Sequence, residues 1–320
     1  MNKREPLSIH IGVSACLLGR RFRFDARHEK HPFITDVMAR HVKLVAICPE
    51  VELGMGVPRE KVRLEGSVDS PHMIGMETSS DWTRRMVSYA RSRVRRRDLA
   101  NVCGCVLKTK SPSCGKVRVK LYDASGRVRR AATGLFAAAL MNHHPLLPVE
   151  DERILDDVRT RDNFIVRLFA YRRLRGLLAG RPSRAGLNVF HAAHISLLQS
   201  HSPKYCRMLD ELVASSGTVS TRKLCDKYAV LFMEALRFKS TPAKSAAVLR
   251  CFLRLLRGHL SAAEERDIRW AVDNYRTGDA PLLTPLTLIK HFIDKYKITW
   301  AAQQVYLNPH PAELMLRFHA

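Results

Sequence analysis

Val102-Cys-Gly-Cys-Val-Leu-Lys-Thr-Lys-Ser-Pro-Ser-Cys-Gly115 is the stretch on which the reading of the fold turns. Its first part, Val102 to Leu107, is an apolar run with the signature of a buried strand. The pattern breaks at Lys108. Pro112 cannot donate to a sheet ladder and Gly115 can adopt positive φ, so a tight loop holding Cys114 is expected. Open α/β sheets bind their ligands beyond the carboxyl ends of their strands. Cys114 is expected in such a position.

Two other cysteines share this setting. Cys16 follows the apolar run Ile9 to Val13, and Cys48 follows Lys43–Ile47, directly before Pro49. Three thiolates converging on one centre suit an iron–sulfur cluster with one iron left open. Spacing leaves a second reading open, three small buried hydrophobes, because free cysteine is among the most buried residue types. Cys103 and Cys105 read as small residues on one strand face, and Cys206, Cys225 and Cys251 fall in helical patterns. The absence of a Cys-x-x-Cys pair argues against a zinc ribbon or a thioredoxin-type site.

A chain of 320 residues is expected to form two domains. Its net charge is +24, and both halves are basic: +13 over residues 1–150 and +11 over the rest. Such a field favours a polyanionic partner, most simply nucleic acid. No apolar run is long enough to span a membrane. Val13-Ser-Ala-Cys16, with Lys3 and Arg4 upstream, resembles a lipoprotein cleavage box. The segment between is short and holds Pro6 and His10, so a cytoplasmic location is expected.

Along the chain, residues 1–7 read as frayed and Ile9–Val13 as the first strand. A basic and aromatic stretch, Arg20 to Asp25, could touch phosphate and stack a base. His31–Ala39 is a helix candidate, Lys43–Ile47 a strand, and Cys48 to Pro58 a loop. Asp81 can cap the next helix. That helix carries Arg84, Arg85, Arg91, Arg93, Arg95, Arg96 and Arg97 with few acidic partners, and reads as a phosphate-contacting surface. Strands at Val102–Leu107 and Val117–Tyr122, a turn at Asp123-Ala-Ser-Gly126 and a helix at Gly134–Asn142 follow. Alternating strands and helices imply a mostly parallel, Rossmann-like α/β domain over 1–150.

Residues 151–186 read as a helical connector, starting at Asp151, and a linker, and 187–320 as an all-α domain of 3.6-residue periodicity. His191, His194 and His201 have a spacing that could ligate metal from one helix face, although Phe, Leu and Ile around them suggest packing. Pro281 to Pro285 reads as a break before a helix at Leu286–Tyr296.

Several motifs together resemble the TudS thiouracil desulfidase family. They are Val13-Ser-Ala-Cys-Leu-Leu-Gly19, Cys48-Pro-Glu50 with Pro58-Arg59, Asp81-Trp-Thr83 and Leu107-Lys-Thr-Lys-Ser-Pro-Ser-Cys-Gly115. The second half resembles the helical domain fused to it. It carries Phe190-His-Ala-Ala-His194, His201-Ser-Pro-Lys-Tyr205, Tyr275-Arg-Thr-Gly278 and Gln304-Val-Tyr-Leu-Asn-Pro309. That fusion looks like the RudS proteins, which remove sulfur from 4-thiouridine in tRNA. The resemblance implies a [4Fe–4S] cluster held by Cys16, Cys48 and Cys114, with the fourth iron free for the thiocarbonyl sulfur. It implies acid/base roles for Glu50 and Ser111. It also implies tRNA as partner, for which Arg91, Arg93, Arg95, Arg96, Arg97, Arg254 and Arg257 are the candidate contacts. A desulfidase of free thiouracil and a basic tRNA-binding module without catalysis are the alternatives.

The sequence departs from the family in two places. An arginine-tyrosine-aspartate-glycine pattern is Arg23-Phe-Asp-Ala26 here, losing a hydroxyl at Phe24 and a glycine at Ala26. A histidine-rich stretch is replaced by Lys244 to Leu253, and an aromatic-lysine segment by Arg254 to Arg257.

Overall fold

A computed structural model describes residues 9–123, 125–215 and 220–318. The expectations for residues 1–7 and for Ala124 in its turn lie outside them. The chain divides into two compact units, 1–164 and 165–320, with the boundary inside one helix.

The first unit is built on two four-stranded sheets. The first has the order β2-β1-β5-β8, from β1 (His10–Ser14), β2 (Lys43–Ile47), β5 (Gly104–Leu107) and β8 (Val149–Asp151), and every pairing is parallel. Strands buried on both faces read as apolar runs, and Ile11, Val13, Val106 and Leu107 are fully buried. Gly12 is required by close packing: a Cβ there would lie 2.6 Å from Cys105 Sγ. The chain leaves β1 to form β2 on one side and returns to its other side at β5. Strand order therefore reverses at β1, and the crevice beyond β1 and β5 is a topological switch point.

The second sheet, order β4-β3-β6-β7, was not expected from the sequence. It comprises β3 (Val62–Gly66), β4 (Pro71–Gly75), β6 (Val119–Tyr122) and β7 (Val128–Ala132). Only β3 and β6 pair in parallel; the outer strands are antiparallel. Its strands are only four or five residues long, too short to stand out by alternation, and of the four only β6 answers to an expected strand.

The π-helical Phe33–Met38 runs into α1 (Ala39–His41), and α2 (Pro49–Glu52) shortens the loop expected after Cys48. Asp81 accepts from the Thr83 amide at 2.7 Å and so caps α3 (Thr83–Arg93) as expected. The arginine-rich segment does not continue as one helix. It breaks after Arg93 and resumes as α4 (Arg97–Ala100). Next comes α5 (Leu135–His143). Asp151 ends β8 instead of opening a helix; a 3₁₀ turn, Glu152–Leu155, separates it from α6 (Val158–Leu178).

The second unit is helical, as its periodicity implied. Beyond the end of α6 come α7 (Arg184–His201), α8 (Pro203–Ala214), α9 (Thr221–Arg237), α10 (Pro242–Leu256), α11 (Ala262–Thr277) and α12 (Leu283–Lys295). Two short helices, α13 (Thr299–Ala302) and α14 (Pro311–Arg317), close it. Ser183, Ser202, Ser220, Thr241 and Ser261 cap five of these helices by accepting an amide hydrogen bond three residues on. Helix α7 packs on α8 and α9, while α10 packs on α7, α11 and α12. Pro285 lies in the first turn of α12, where a missing N–H costs nothing, and does not break it.

The histidines of α7 are packing residues. His191 bridges the Tyr228 hydroxyl (3.0 Å) and Asp210 (2.8 Å), His194 bonds the Phe190 carbonyl (2.6 Å), and His201 bonds the Phe238 carbonyl (2.7 Å). Each is held by a protein partner through at least one ring nitrogen, and among the described residues no three His, Cys, Asp or Glu could hold a metal ion, which replaces the metal reading.

Candidate active site

All three strand-end cysteines reach the switch point. Cys16 lies in the 3₁₀ turn after β1, Cys48 caps α2 after β2, and Cys114 lies in the loop after β5. They line one cavity of about 520 Å³ together with Glu50, Arg59, Lys108 and Ser111.

The Cys114 loop is clamped from two directions. The first amides of α5 satisfy its carbonyls: Leu135 N–H donates to Pro112 at 3.0 Å and Phe136 N–H to Ser113 at 3.0 Å. Gly115 is required for close approach and not for positive φ, because a Cβ there would lie 2.8 Å from the Ser111 carbonyl. The left-handed conformation falls instead on Lys110 and Arg118, both at φ +60°.

Electrostatics disfavours three bare thiolates here. Burial pushes the Cys16 thiol up to about 12, and the neighbouring Cys48 adds to it, against a lowering by Lys108. Burial raises Cys114 well above its ordinary value, with Cys48, Glu50 and Cys16 adding to it. Burial also raises Cys48. The thiols therefore sense one another, and a bound cationic group would be needed to hold all three deprotonated. Among the described residues, no three His, Cys, Asp or Glu side chains close on one point as ligands of a single ion would. Three thiol side chains lining one cavity are the donor type that iron–sulfur clusters take. Thr109, which also lines the cavity, keeps a buried hydroxyl without a protein partner.

Glu50 is the best-connected carboxylate of the cavity. Arg59 donates to its Oε2 from Nε (2.9 Å) and Nη2 (2.5 Å), and the pair is 12% and 6% exposed. The same guanidinium donates to the Gly56 and Phe22 carbonyls at 3.0 Å. Ser113 donates to Glu50 Oε1 at 2.6 Å, while Ser111 stands at 3.5 Å. Ser111 Oγ instead accepts from the Cys114 amide at 3.1 Å and the Ser113 amide at 3.3 Å. It shapes the loop, and Ser113 is the closer hydroxyl to Glu50. Sequence reasoning missed Ser113 because a serine beside a proline reads as a turn former. Lys108 is held between Glu29 (2.6 Å) and Glu152. Phe24 also lines the cavity, with Lys61 Nζ 5.0 Å from its ring centroid.

The candidate RNA contacts of the first unit are not all at its surface. Arg93 is not a surface residue: it is 4% exposed and paired to Glu52 (2.8 Å) and Asp98 (2.9 Å). Its partners lie outside its own helix turn, so counting charges at i±4 could not find them. Arg91, Arg95, Arg96 and Arg97 are exposed. Arg254 donates to Cys251 Sγ at 2.9 Å, and Arg257 lies 3.9 Å from Glu265.

Residues 11–152 match the family of 2-thiouracil desulfurases. The motif resemblance and the family match thus fall on the same stretch, the one that holds the cavity. Residues 196–311 match a second family, described as a protein of unknown function (DUF1722). The two matches divide the chain, the first over the stretch that holds the cavity and the second within the helical unit. A relative from Escherichia coli (strain K12), "Uncharacterized protein YbgA", is 27% identical over 157 residues, 49% of this chain and 93% of its own. A solved structure, "[4Fe-4S]-dependent thiouracil desulfidase TudS", aligns at 28% identity and a TM-score of 0.38, covering 47% of this chain and 94% of that one.

Proposed function

We propose that the chain is a cluster-dependent desulfidase that converts 4-thiouridine in tRNA to uridine and sulfide. The observation that carries this reading is the convergence of Cys16, Cys48 and Cys114 on one cavity that also holds Glu50. The match to the desulfurase family over residues 11–152 supports the reaction class.

The reaction is a hydrolysis without net redox change. Water adds to the thiocarbonyl carbon, the C–S bond breaks, and sulfur leaves as sulfide while a carbonyl forms. A [4Fe–4S] group bound by Cys16, Cys48 and Cys114 would supply a Lewis-acidic iron for the thiocarbonyl sulfur. Glu50 handles the protons, at Oε1. Its Oε2 is engaged by Arg59, which fixes the carboxylate plane, and Ser113 holds Oε1. The Oε1 lone pairs can take a proton from attacking water and deliver it to the departing sulfur. Phe24, with Arg23 and Lys61 at 5.5 and 5.0 Å from its ring centroid, gives the cavity an aromatic contact for a pyrimidine.

The tRNA part of the proposal rests on charge. A free base needs no field of +24, and the excess is shared by both parts of the chain. Anaerobic reconstitution followed by nucleoside analysis of treated tRNA tests it. Loss of 4-thiouridine with matching gain of uridine is expected. Turnover of free thiouracil with untouched tRNA would replace this substrate by the free base.

A further inference from the structure

A second cavity, of about 1010 Å³, lies in the first unit between α3 and α5 and the edge of the second sheet. Its lining includes Val87, Ala138 and Ala139 together with three arginines, Arg91 from the last turn of α3, Arg95 from the turn after it and Arg118 from the loop before β6. We propose that this groove binds the phosphodiester backbone of the RNA strand whose thiolated base enters the cysteine cavity. The proposal rests on the RNA reading above and assigns it a track.

Three observations carry it. First, no carboxylate lies within ion-pair distance of Arg91, Arg95 or Arg118 among the described residues, although Arg93 on the same helix is paired twice. Asp69, which also lines the groove, forms no ion pair with them. Second, Arg91 in the last turn of α3 and Arg95 in the turn just beyond it line the same groove, so two like charges share one wall. That arrangement is unfavourable by itself and is relieved by an anion between them. Third, Arg118 lines both this groove and the cysteine cavity, so the two adjoin at one residue. It does so from φ +60°, a conformation that costs a non-glycine residue energy and is retained where position matters. A single strand has this same division, bases on one side and phosphates along the other. Guanidinium groups match phosphate oxygens in pairs.

The test is the salt dependence of binding of a fluorescein-labelled, 4-thiouridine-containing tRNA to the full-length protein, read by anisotropy. Each lost phosphate contact lowers the slope of log K against log salt by about 0.7 to 0.9. Arg91→Ala/Arg95→Ala is therefore expected to flatten the slope by about 1.4 to 1.8. Arg91→Lys/Arg95→Lys is expected to keep most of it. Arg40→Ala/Lys43→Ala removes two exposed cations outside the groove and is expected to leave the slope unchanged. Circular dichroism confirms that each variant is folded. If the wild type binds and the double alanine variant keeps its slope, the groove is not the track, and the tRNA reading survives without it. An equal loss from the Arg40/Lys43 pair assigns binding to the diffuse field and also overturns the groove. Wild-type protein that does not bind tRNA overturns both.

Discussion

The Ser113 hydroxyl donates to Glu50 Oε1 at 2.6 Å across 63 positions of sequence. One residue sits beside Cys114 in the loop after β5, the other two places beyond Cys48 in the first turn of α2. The bond ties two cysteine loops together and makes the carboxylate part of their geometry.

Glu50→Gln is therefore expected to keep iron and acid-labile sulfide while turnover falls by about 10²- to 10⁴-fold. Ser113→Ala is expected to lower turnover too, by less, because it removes a positioning bond and leaves the carboxylate. Ser111→Ala acts differently. It removes the acceptor of the Cys114 amide and is expected to lower cluster retention. Iron content and turnover measured on all three variants check this; equal turnover in Glu50→Gln and wild type would give Glu50 a structural role only.

Cys16→Ala, Cys48→Ala and Cys114→Ala are each expected to lose the cluster, because two thiolates hold a cubane poorly. Cys103→Ala and Cys105→Ala are expected to retain it, since both are buried in the strand region away from the cavity lining. The brown absorption near ~400 nm after anaerobic reconstitution reads the outcome. Bleaching by Cys105→Ala with retention in Cys48→Ala would refute the ligand set.

Most of what places this site was legible in the sequence. Apolar runs marked β1, β2 and β5, and the punctuation after each placed Cys16, Cys48 and Cys114 at strand ends. The order β2-β1-β5 was not legible, since pairing is decided by long-range packing. The strands β3, β4 and β7 were missed because each is only five residues long, too short for an alternation such as Val62-Arg-Leu-Glu-Gly66 to stand out. The partners of Arg93 were hidden for a related reason: Glu52 is 41 positions away. In the helical unit the caps Ser202 and Thr241, each before a proline, mark the starts of α8 and α10 where periodicity alone gives no boundary.

His194 gives the helical unit an acid-sensitive point. Its Nδ1–H donates to the Phe190 carbonyl and its Nε2 accepts from Arg173 Nε at 3.2 Å, so the folded site takes the neutral ring. Burial, then the Arg173 charge, lowers its pKa from 6.5 to about 3. The unfolded chain thus takes up a proton that the folded chain refuses. The stability this contributes is present above pH 6.5 and is lost as pH falls toward 3, by about 1.4 kcal/mol per pH unit. Denaturant unfolding at pH 7.5 and 4.5 is expected to show a smaller loss in His194→Gln than in wild type. Equal pH dependence in both would refute it.

Ala26 stands at φ +55°, in the left-handed region, where the family resemblance puts glycine. Its amide donates to the Arg23 carbonyl at 3.0 Å, and Asp25 accepts from the Arg27 amide at 3.1 Å, so the turn is held despite the Cβ. Ala26→Gly is expected to stabilise the protein by about 1 kcal/mol, or about 2–4 °C in Tm. An unchanged or lower Tm would contradict the strain.

The proposed activity is the removal of sulfur from thiolated uridine in tRNA, with Glu50 handling the protons and with Cys16, Cys48 and Cys114 as the residues that would hold the cluster. Its most direct test is nucleoside analysis of 4-thiouridine-containing tRNA after incubation with anaerobically reconstituted wild-type and Glu50→Gln protein of equal iron content. The account predicts conversion of 4-thiouridine to uridine with stoichiometric sulfide by the wild type, and a loss of at least about 10²-fold in the variant. Intact 4-thiouridine after incubation with cluster-loaded wild-type protein would contradict it.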